Sequence, residues 1–178
     1  MDANCIKKGQ YVVYGTNGVC HIDDICEMAF PTGREKKPYL LLRPLADTAS
    51  VIYLPYDNTD LLNKLRPILT KEEATKLLAT ANNCCSEWIE DRKARALSFR
   101  DTIQQSQPES LLSLIRCVCH KRDELASQNK KLPNADREAM DTALKAVCEE
   151  FAFSLTLSNE DVLGQIEAAL SICIKPAL

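Results

Sequence analysis

The sequence of 178 residues predicts an α+β protein, in which a small antiparallel β module precedes an all-helical bundle. Short β-rich segments bounded by turn residues fill the first 55 residues, and apolar residues recur at helical spacing from residue 70 onward. Four of the five glycines also lie in the first part, as tight turns require. We therefore expect two domains, 1–68 and 69–178.

The β module is predicted from four segments of high β propensity. In chain order they are Tyr11–Tyr14, Val19–Cys26, Tyr39–Arg43 and Ser50–Pro55. Residues 15–18 contain two glycines that tolerate positive φ in a turn, and residues 30–38 form a polar loop. Four or five such strands in about 50 residues predict a small twisted antiparallel barrel or half-barrel. Residues 56–69 then join it to the helices.

The helical part is predicted from start signals that precede apolar periodicity. Thr70 and Glu73 form a capping box, in which each side chain accepts a bond from the other's backbone N–H. The further start signals are Ser106–Glu109, Asn134 after Pro133, and Ser158–Asp161. Together they predict a bundle of long helices over residues 70–178.

Trp88, the single tryptophan, lies at the predicted start of another helix. The apolar stripe of that helix is Ile89, Ala96, Phe99 and Ile103. At 100° per residue Trp88 falls at the margin of this stripe, with Arg92 and Lys93 as nearby cations. Two interpretations stay open: an exposed aromatic among cations, or a tryptophan packed sideways between two helices.

The net charge of −3 is distributed unevenly along the chain. Residues 1–69 are balanced, residues 88–131 carry nine basic and six acidic side chains, and residues 132–178 carry three and eight. Contact with a polyanion is therefore expected in the middle of the chain. The same local charge also fits an ordinary solvated helical face.

Patterns typical of enzymes and metal sites are scarce in this sequence. It contains two histidines, and no Gly-rich phosphate loop, Walker lysine or HExxH motif. Residues 117–120 read Cys-Val-Cys-His, but positions i and i+2 of a helix point to different faces, so buried thiols are favoured over zinc. Cys84 and Cys85 are interpreted as a tight helix junction. We predict no catalysis, no cofactor and no metal.

The nine cysteines are an odd number without a Cys-x-x-Cys motif, which favours reduced thiols over a disulfide framework. No apolar run approaches the ~18 residues that a membrane span needs. Residues 1–5 contain no signal-peptide core. The sequence thus predicts a cytoplasmic protein with no membrane contact.

Several motifs resemble the RNA-polymerase-interacting domain of CarD/CdnL-type transcription regulators. In chain order they are Lys8–Tyr14, Asn17–Val19, Lys37–Leu42, Ile52–Asn58 and Leu65–Ile68. The first motif is also similar to the polymerase-binding module of the transcription-repair coupling factor. The resemblance continues through Trp88 with Arg92 and Lys93, and through Arg137 after Leu132–Pro133, so it spans nearly the whole chain.

This resemblance implies a bacterial transcription factor that has no operator of its own. Its Tudor-like β domain would bind the polymerase β subunit, and its helical domain would contact promoter DNA at the upstream edge of the bubble. There Trp88 would enter the minor groove, while Arg92, Lys93 and Arg137 contact phosphates without reading sequence. The protein would be cytoplasmic, associated with the nucleoid through the polymerase, with no small-molecule substrate.

Two departures from the family pattern modify this expectation. Residues 89–91 read Ile-Glu-Asp where relatives are more basic, which weakens the expected phosphate contact. Met28 and Tyr53 stand where some relatives carry arginines, which favours apolar contact and addition of a partner strand to an exposed edge. The predicted polymerase-contacting residues are Met28, Val51, Ile52, Tyr53, Leu54 and Pro55. An interior barrel strand is the open alternative for residues 51–54.

Two functions remain open for the helical half. The first is stabilisation of the promoter open complex by contact with DNA. The alternative is a polymerase-binding adaptor whose helical domain docks another protein. The acidic stretch 132–178 and the pair Glu90–Asp91 favour this alternative.

Overall fold

The computed structural model describes residues 6–29, 36–83 and 86–174. The chain divides into two compact units, Met1–Ile68 and Leu69–Leu178. The elements of the first unit are β1 (Tyr11–Tyr14), β2 (Val19–Met28), β3 (Lys37–Pro44), β4 (Ile52–Pro55), α1 (Thr59–Leu62) and β5 (Leu65–Pro67). Those of the second are α2 (Lys71–Thr80), α3 (Arg92–Gln105), α4 (Pro108–Ser127), α5 (Asn134–Leu155) and α6 (Asn159–Leu170). The predicted α+β class is confirmed.

The strands of the first unit form one antiparallel sheet in the order β4-β3-β2-β1-β5. Strand β2 pairs with both β1 and β3, and its register with β3 shifts between Ile22 and Asp24, a bulge that bends the strand. The turn between β1 and β2 has Gly15 at φ 48° and Gly18 at φ 68°, as the sequence predicts. One face of the sheet covers an apolar core that includes Val12, Ile22, Leu40, Leu42, Leu54 and Leu65.

The sequence predicts a barrel or half-barrel, and the described strands form an antiparallel sheet that is not closed into a barrel. Within the described residues, β4 and β5 lie at opposite edges and do not pair with each other. The predicted join over residues 56–69 contains α1 and β5, and Tyr14 of β1 pairs with Leu65. Strand β5 has three residues and ends in a proline, so its conformation depends on the long-range pairing with β1 and on no local pattern.

The helices of the second unit begin close to their predicted start signals, but by different means. The capping box at α2 is confirmed: Thr70 Oγ1 accepts from the Glu73 N–H at 3.2 Å, and Glu73 Oε2 accepts from the Thr70 N–H at 2.8 Å. Ser158 caps α6 in the predicted way. Ser106 instead ends α3 in a left-handed conformation, and Asn134 is the first residue of α5 and not its cap.

Helix α3 begins later than the apolar stripe suggests. Its first residue is Arg92, because Asp91 Oδ1 accepts from the Ala94 N–H at 2.7 Å and caps the helix. Trp88 therefore lies in the irregular segment 86–90 before the helix. Phe99 is buried as predicted, whereas Ala96 is exposed and Arg95 takes a buried position on the helix.

The core of the second unit is built mainly from α4, α5 and α6. Its fully buried side chains include Leu112, Ile115, Val118, Phe151, Ile166 and Leu170. Cys119 and Cys148 are part of this core, which confirms the prediction of a buried thiol at position 119. The predicted junction Cys84–Cys85 lies outside the described residues. In the part of the chain that the structure describes, no helix combines the length and apolarity needed to cross a membrane.

Candidate functional site

Strand β4 is an edge strand of the described sheet, which answers the question that the sequence leaves open. It pairs with β3 on one side, with Tyr53 opposite Leu41 and Leu54 opposite Leu40. The burial of β3 alternates, so Leu41 lies on the outer face of the sheet and Leu40 in the core. Tyr53 shares the outer face with Leu41 and is 43% exposed.

The other predicted contact residues divide between the two faces. Leu54 is 1% exposed and Ile52 packs against the sheet core, so their side chains face the core and only their main chain lies at the open edge of β4. Pro55 pairs opposite Tyr39 and is half-buried, and Val51 lies just before the strand. Because successive side chains of a strand point to opposite faces, their spacing from Tyr53 is the sequence signal that separates core-facing from outward-facing residues here.

Met28 lies at the end of β2, opposite Lys37 of β3. Lys37, Tyr39 and Leu41 are every second residue of β3, so their side chains share the outer face. Met28 pairs with Lys37 and Tyr53 pairs with Leu41, so both lie on that face as well. Lys37 Nζ is 2.8 Å from Asp57 Oδ2, and this hydrogen bond lowers the pKa of the Asp57 carboxyl. The outer face near β4 thus combines apolar side chains with an exposed ion pair.

A second polar network lies on the outer side of β2 and β3. Asp23 Oδ1 is 2.7 Å from His21 Nδ1, and its Oδ2 accepts from Arg43 Nε at 2.7 Å. The bond with His21, and then that with Arg43, lowers the pKa of the Asp23 carboxyl. The ring of Tyr11, which is 42% exposed, lies 4.9 Å from that of His21.

Trp88 is half-buried and packs against the helical core. Arg95 of α3 lies over its ring at 4.2 Å, Lys121 of α4 lies 5.5 Å from the ring centroid, and Phe99 meets it edge-on at 6.3 Å. This is the sideways packing that the sequence leaves open as an alternative. The cations at the ring are Arg95 and Lys121, not the predicted Arg92 and Lys93.

Arg95 holds the segment that carries Trp88. Its guanidinium donates to Asp136 Oδ1 at 3.0 Å and to Oδ2 at 2.9 Å, and both side chains of this pair are 5% exposed. It also donates to the backbone carbonyls of Ile89 at 2.7 Å and Glu90 at 3.2 Å. One buried side chain therefore joins α3, α5 and the segment 86–90.

Sequence reasoning missed this pair, because it treats Arg95 as one of several surface cations. The available signal is the spacing from Phe99: residues four apart share a helix face, so Arg95 belongs on the buried side. No sequence signal identifies Asp136 as its partner, since 41 residues separate them.

A pocket of about 270 Å³ adjoins Trp88. It is lined by Ser86, Trp88, Arg116, Cys117, His120, Lys121 and Glu124. Lys121 forms ion pairs with Glu124 at 3.1 Å and Glu90 at 3.6 Å, and the bond to Glu124 is the main cause that raises its pKa. The described residues contain no group of three metal-ligating side chains, and burial raises the pKa of the Cys117 thiol.

The remaining predicted DNA contacts do not line this pocket. Arg92 and Lys93 are exposed in the first turn of α3, and within the described residues neither side chain has a hydrogen-bond or ion-pair partner. Arg137 is exposed on α5 and lines a separate cavity. Arg92, Lys93 and Arg137 are therefore all open to solvent, and Arg137 lies apart from the pocket beside Trp88.

The comparisons with known proteins identify the first unit. Residues 6–69 match the family described as the CarD-like/TRCF RID domain, an RNA polymerase-interacting module. The chain thus carries a CarD-like/TRCF RID domain in its N-terminal region, as the resemblance predicts. None of the curated proteins matches the chain.

Proposed function

We propose that this chain is a non-catalytic bacterial transcription regulator that binds the β subunit of RNA polymerase through the sheet unit. Its helical unit contacts promoter DNA without sequence specificity at the upstream edge of the bubble and slows bubble collapse. The observation that carries this proposal is the match of nearly the whole first unit to the RID domain. A regulator of this kind works in the cytoplasm, at the nucleoid, wherever the polymerase is bound.

The edge of β4 supports a specific mode of polymerase binding. An edge strand can accept a partner strand through main-chain hydrogen bonds, and the neighbouring outward side chains then select the partner. Here those side chains are Tyr53 of β4 and Leu41 of β3, with Met28 further along the same face on β2, opposite Lys37. Apolar and main-chain contact thus replaces the charge pairs expected for relatives with arginines at these positions.

The helical unit supports contact with DNA through Trp88, Arg92, Lys93 and Arg137. The exposed part of the Trp88 ring would enter the minor groove, while the three open cations neutralise phosphates. Arg95 fixes the segment 86–90, so the ring is held in place before DNA arrives and little entropy is lost on binding.

A specific observation also favours the adaptor alternative. The two cations that flank the Trp88 ring are already paired with carboxylates, Arg95 with Asp136 and Lys121 with Glu90 and Glu124. They therefore offer less charge to phosphates than their positions suggest. A half-buried ring with neutralised cations also suits a protein partner.

Polymerase binding is tested with two matched tyrosine variants of the full chain. Tyr53→Asp and Tyr11→Asp change side chains of nearly equal exposure, 43% and 42%, on the same sheet. We expect Tyr53→Asp to weaken binding to core polymerase by about tenfold or more, because a carboxylate is desolvated at the contact, and Tyr11→Asp to leave it unchanged. Equal affinities for the two variants, both folded by circular dichroism, would exclude the β4 surface.

The choice between DNA and protein as the second partner is tested by salt. If the helical unit contacts DNA, the logarithm of its binding constant for promoter DNA should fall as the logarithm of the salt concentration rises. The slope should be about −0.9 for each phosphate contacted. Arg92→Gln and Lys93→Gln should each reduce that slope equally on unrelated promoters, because phosphate contacts carry no sequence information. A flat salt dependence favours the adaptor.

A further inference from the structure

The helical unit contains a second cavity, of about 390 Å³, that the proposed function does not use. It lies between the C-terminal part of α4, the turn that follows, the first two turns of α5, and Ile174 after α6. On α4 the lining residues Arg122 and Ala126 point about 100–140° away from Lys121, so this cavity and the pocket beside Trp88 lie on different sides of the helix.

The floor of this cavity is apolar and is part of the packed core. Leu132 and Met140 are each 5% exposed and Ile174 is 7% exposed, and all three belong to the core of the helical unit. The Cys119 thiol also donates a hydrogen bond to the Met140 sulfur, 3.5 Å away. An apolar floor that is accessible from a cavity favours an apolar ligand group over a bare inorganic ion.

The rim of the cavity is strongly cationic. Four cations, Arg122, Lys130, Lys131 and Arg137, line it against a single carboxylate, that of Asp141. Arg122 donates to the carbonyls of Cys173 and Ile174 and pairs with Asp123, and Lys130 bonds the neutral amide of Gln128.

Two of the rim cations have no such partner. Within the described residues, the side chains of Lys131 and Arg137 form no hydrogen bond or ion pair. Asp141 follows Arg137 by four residues on α5, an order in which an acid–base pair gains less than in the reverse order. Lys131 and Arg137 are therefore the groups available to an anionic ligand.

We propose that this cavity binds an organic anion of about the size of a mononucleotide. Its apolar body lies on Leu132 and Met140, and its phosphate, sulfonate or carboxylate group is held by Lys131 and Arg137. The volume falls within the range of small-molecule sites, about 300–1,000 Å³. Duplex DNA would leave the apolar floor unused, since its phosphates are hydrated and face outward.

The site would regulate DNA contact, and this consequence rests on the proposed function. Arg137 is also a proposed phosphate contact, and one guanidinium cannot neutralise both a bound organic anion and a DNA phosphate. A bound anion would therefore weaken the contact of the helical unit with DNA.

Binding is tested on the full chain with 8-anilinonaphthalene-1-sulfonate, an apolar anion whose fluorescence rises when it is bound. We expect saturable one-to-one binding, weakened about tenfold by Lys131→Gln or by Arg137→Gln, because each removes a charged hydrogen bond. Lys145→Gln, an exposed cation further along α5, is the matched control and should bind like the unaltered chain. N-phenyl-1-naphthylamine, the same body without the sulfonate, should bind more weakly and equally to all four proteins.

The proposal is overturned if the sulfonate binds without saturation, or if Lys131→Gln and Arg137→Gln bind it as tightly as Lys145→Gln does. A second arm measures binding of a promoter duplex with and without saturating sulfonate, and a loss of DNA affinity is expected. If no DNA binds in either condition, the proposed DNA contact fails, and the anion site is decided by the first arm alone. If DNA binds equally in both conditions, the regulatory consequence is wrong.

Discussion

Among the ion pairs of the described residues, the helical unit includes a buried one and the sheet unit does not. In the sheet unit the pairs are Lys8–Asp24, Lys37–Asp57 and Arg43–Asp23, and their side chains are 24–67% exposed. In the helical unit Arg95 and Asp136 form a bidentate pair with both side chains 5% exposed. Exposed pairs contribute about 0–1 kcal/mol, whereas breaking a buried pair leaves an isolated charge in the core.

This difference follows from how each unit defines its geometry. Antiparallel strands are aligned by their ladder of main-chain hydrogen bonds, so the register of the sheet does not depend on charged side chains. Helices that pack through apolar side chains lack such a ladder. We infer that the pair between α3 and α5 sets their relative position and, through the carbonyls of residues 89 and 90, that of Trp88.

The largest expected effect comes from breaking the buried pair. Asp136→Ala should destabilise the helical unit by about 3–5 kcal/mol, because the Arg95 charge is left buried without its partner. The matched change in the sheet unit, Asp23→Ala, should cost less than about 1 kcal/mol. Urea unfolding separates the two, since the single tryptophan reports on the helical unit and all five tyrosines lie in the sheet unit.

Equal destabilisation by the two substitutions would remove the contrast between the units. Arg95→Met with Asp136→Leu provides a sharper test, because it removes both charges together. We expect this double variant to recover most of the stability lost in Asp136→Ala while Trp88 becomes more accessible to acrylamide quenching.

A second effect appears at alkaline pH in the helical unit. Burial raises the pKa of Cys119 and Cys148 from 9.0 to about 11 each. The unfolded chain loses these protons at lower pH than the folded chain does. The stability contributed by the buried neutral thiols is therefore fully present below pH 9 and is lost as pH rises toward 11, by about 2–3 kcal/mol per thiol. Urea midpoints at pH 8 and pH 10.5 measure this loss, and a Cys119→Ala, Cys148→Ala variant should lack most of it.

The sheet unit is expected to lose stability at the acid end instead. Hydrogen bonds lower the pKa of Asp23, Asp24, Asp47 and Asp57, so the stability they contribute is present above their ordinary pKa and is lost as pH falls through the lowered values. Because these groups are largely exposed, the urea midpoint of the sheet unit, followed by tyrosine fluorescence, should change less at acid pH than the midpoint of the helical unit changes at alkaline pH. A larger one would contradict the comparison.

Trp88→Ala should have an intermediate effect on stability. The ring is half-buried and packs on Phe99 and Arg95, so its removal should destabilise the helical unit by about 2 kcal/mol, less than the loss of a fully buried aromatic. The same variant should shorten the lifetime of the promoter open complex. An unchanged lifetime in a folded variant would exclude Trp88 from the DNA contact, and a loss above about 4 kcal/mol would identify it as a core residue.

The smallest effect is expected at the helix caps. Thr70→Ala removes one partner of the capping box at α2 and should destabilise the helical unit by about 1 kcal/mol, whereas Thr75→Ala, within the same helix, should have little effect. If both substitutions have the same effect on the urea midpoint, the capping box contributes nothing beyond helix propensity.

Local patterns predict the parts of this molecule that depend on local interactions. The β-rich composition of β1, the capping box at Thr70 and the RID motifs all lie within short segments, and the corresponding elements are confirmed. Strand β5 and the open edge of the sheet depend on pairing between distant segments, which no window of sequence contains. The same holds for Arg95 and Asp136. Trp88 is identified from composition alone, but its neighbours are not, because they come from α3 and α4.

The position of Arg95 has a consequence for how this protein tolerates mutation. Because one side chain contacts both the Trp88 ring and Asp136, random substitutions at position 95 should produce unfolded and inactive proteins together, so a genetic screen could not separate the two defects there. Lys121 faces the same ring with its side chain 16% exposed, but its partners Glu90 and Glu124 are 83% and 53% exposed. Substitutions at position 121 should therefore leave more of the variants folded than substitutions at position 95 do. A loss of function at position 121 can then be measured without a loss of folding.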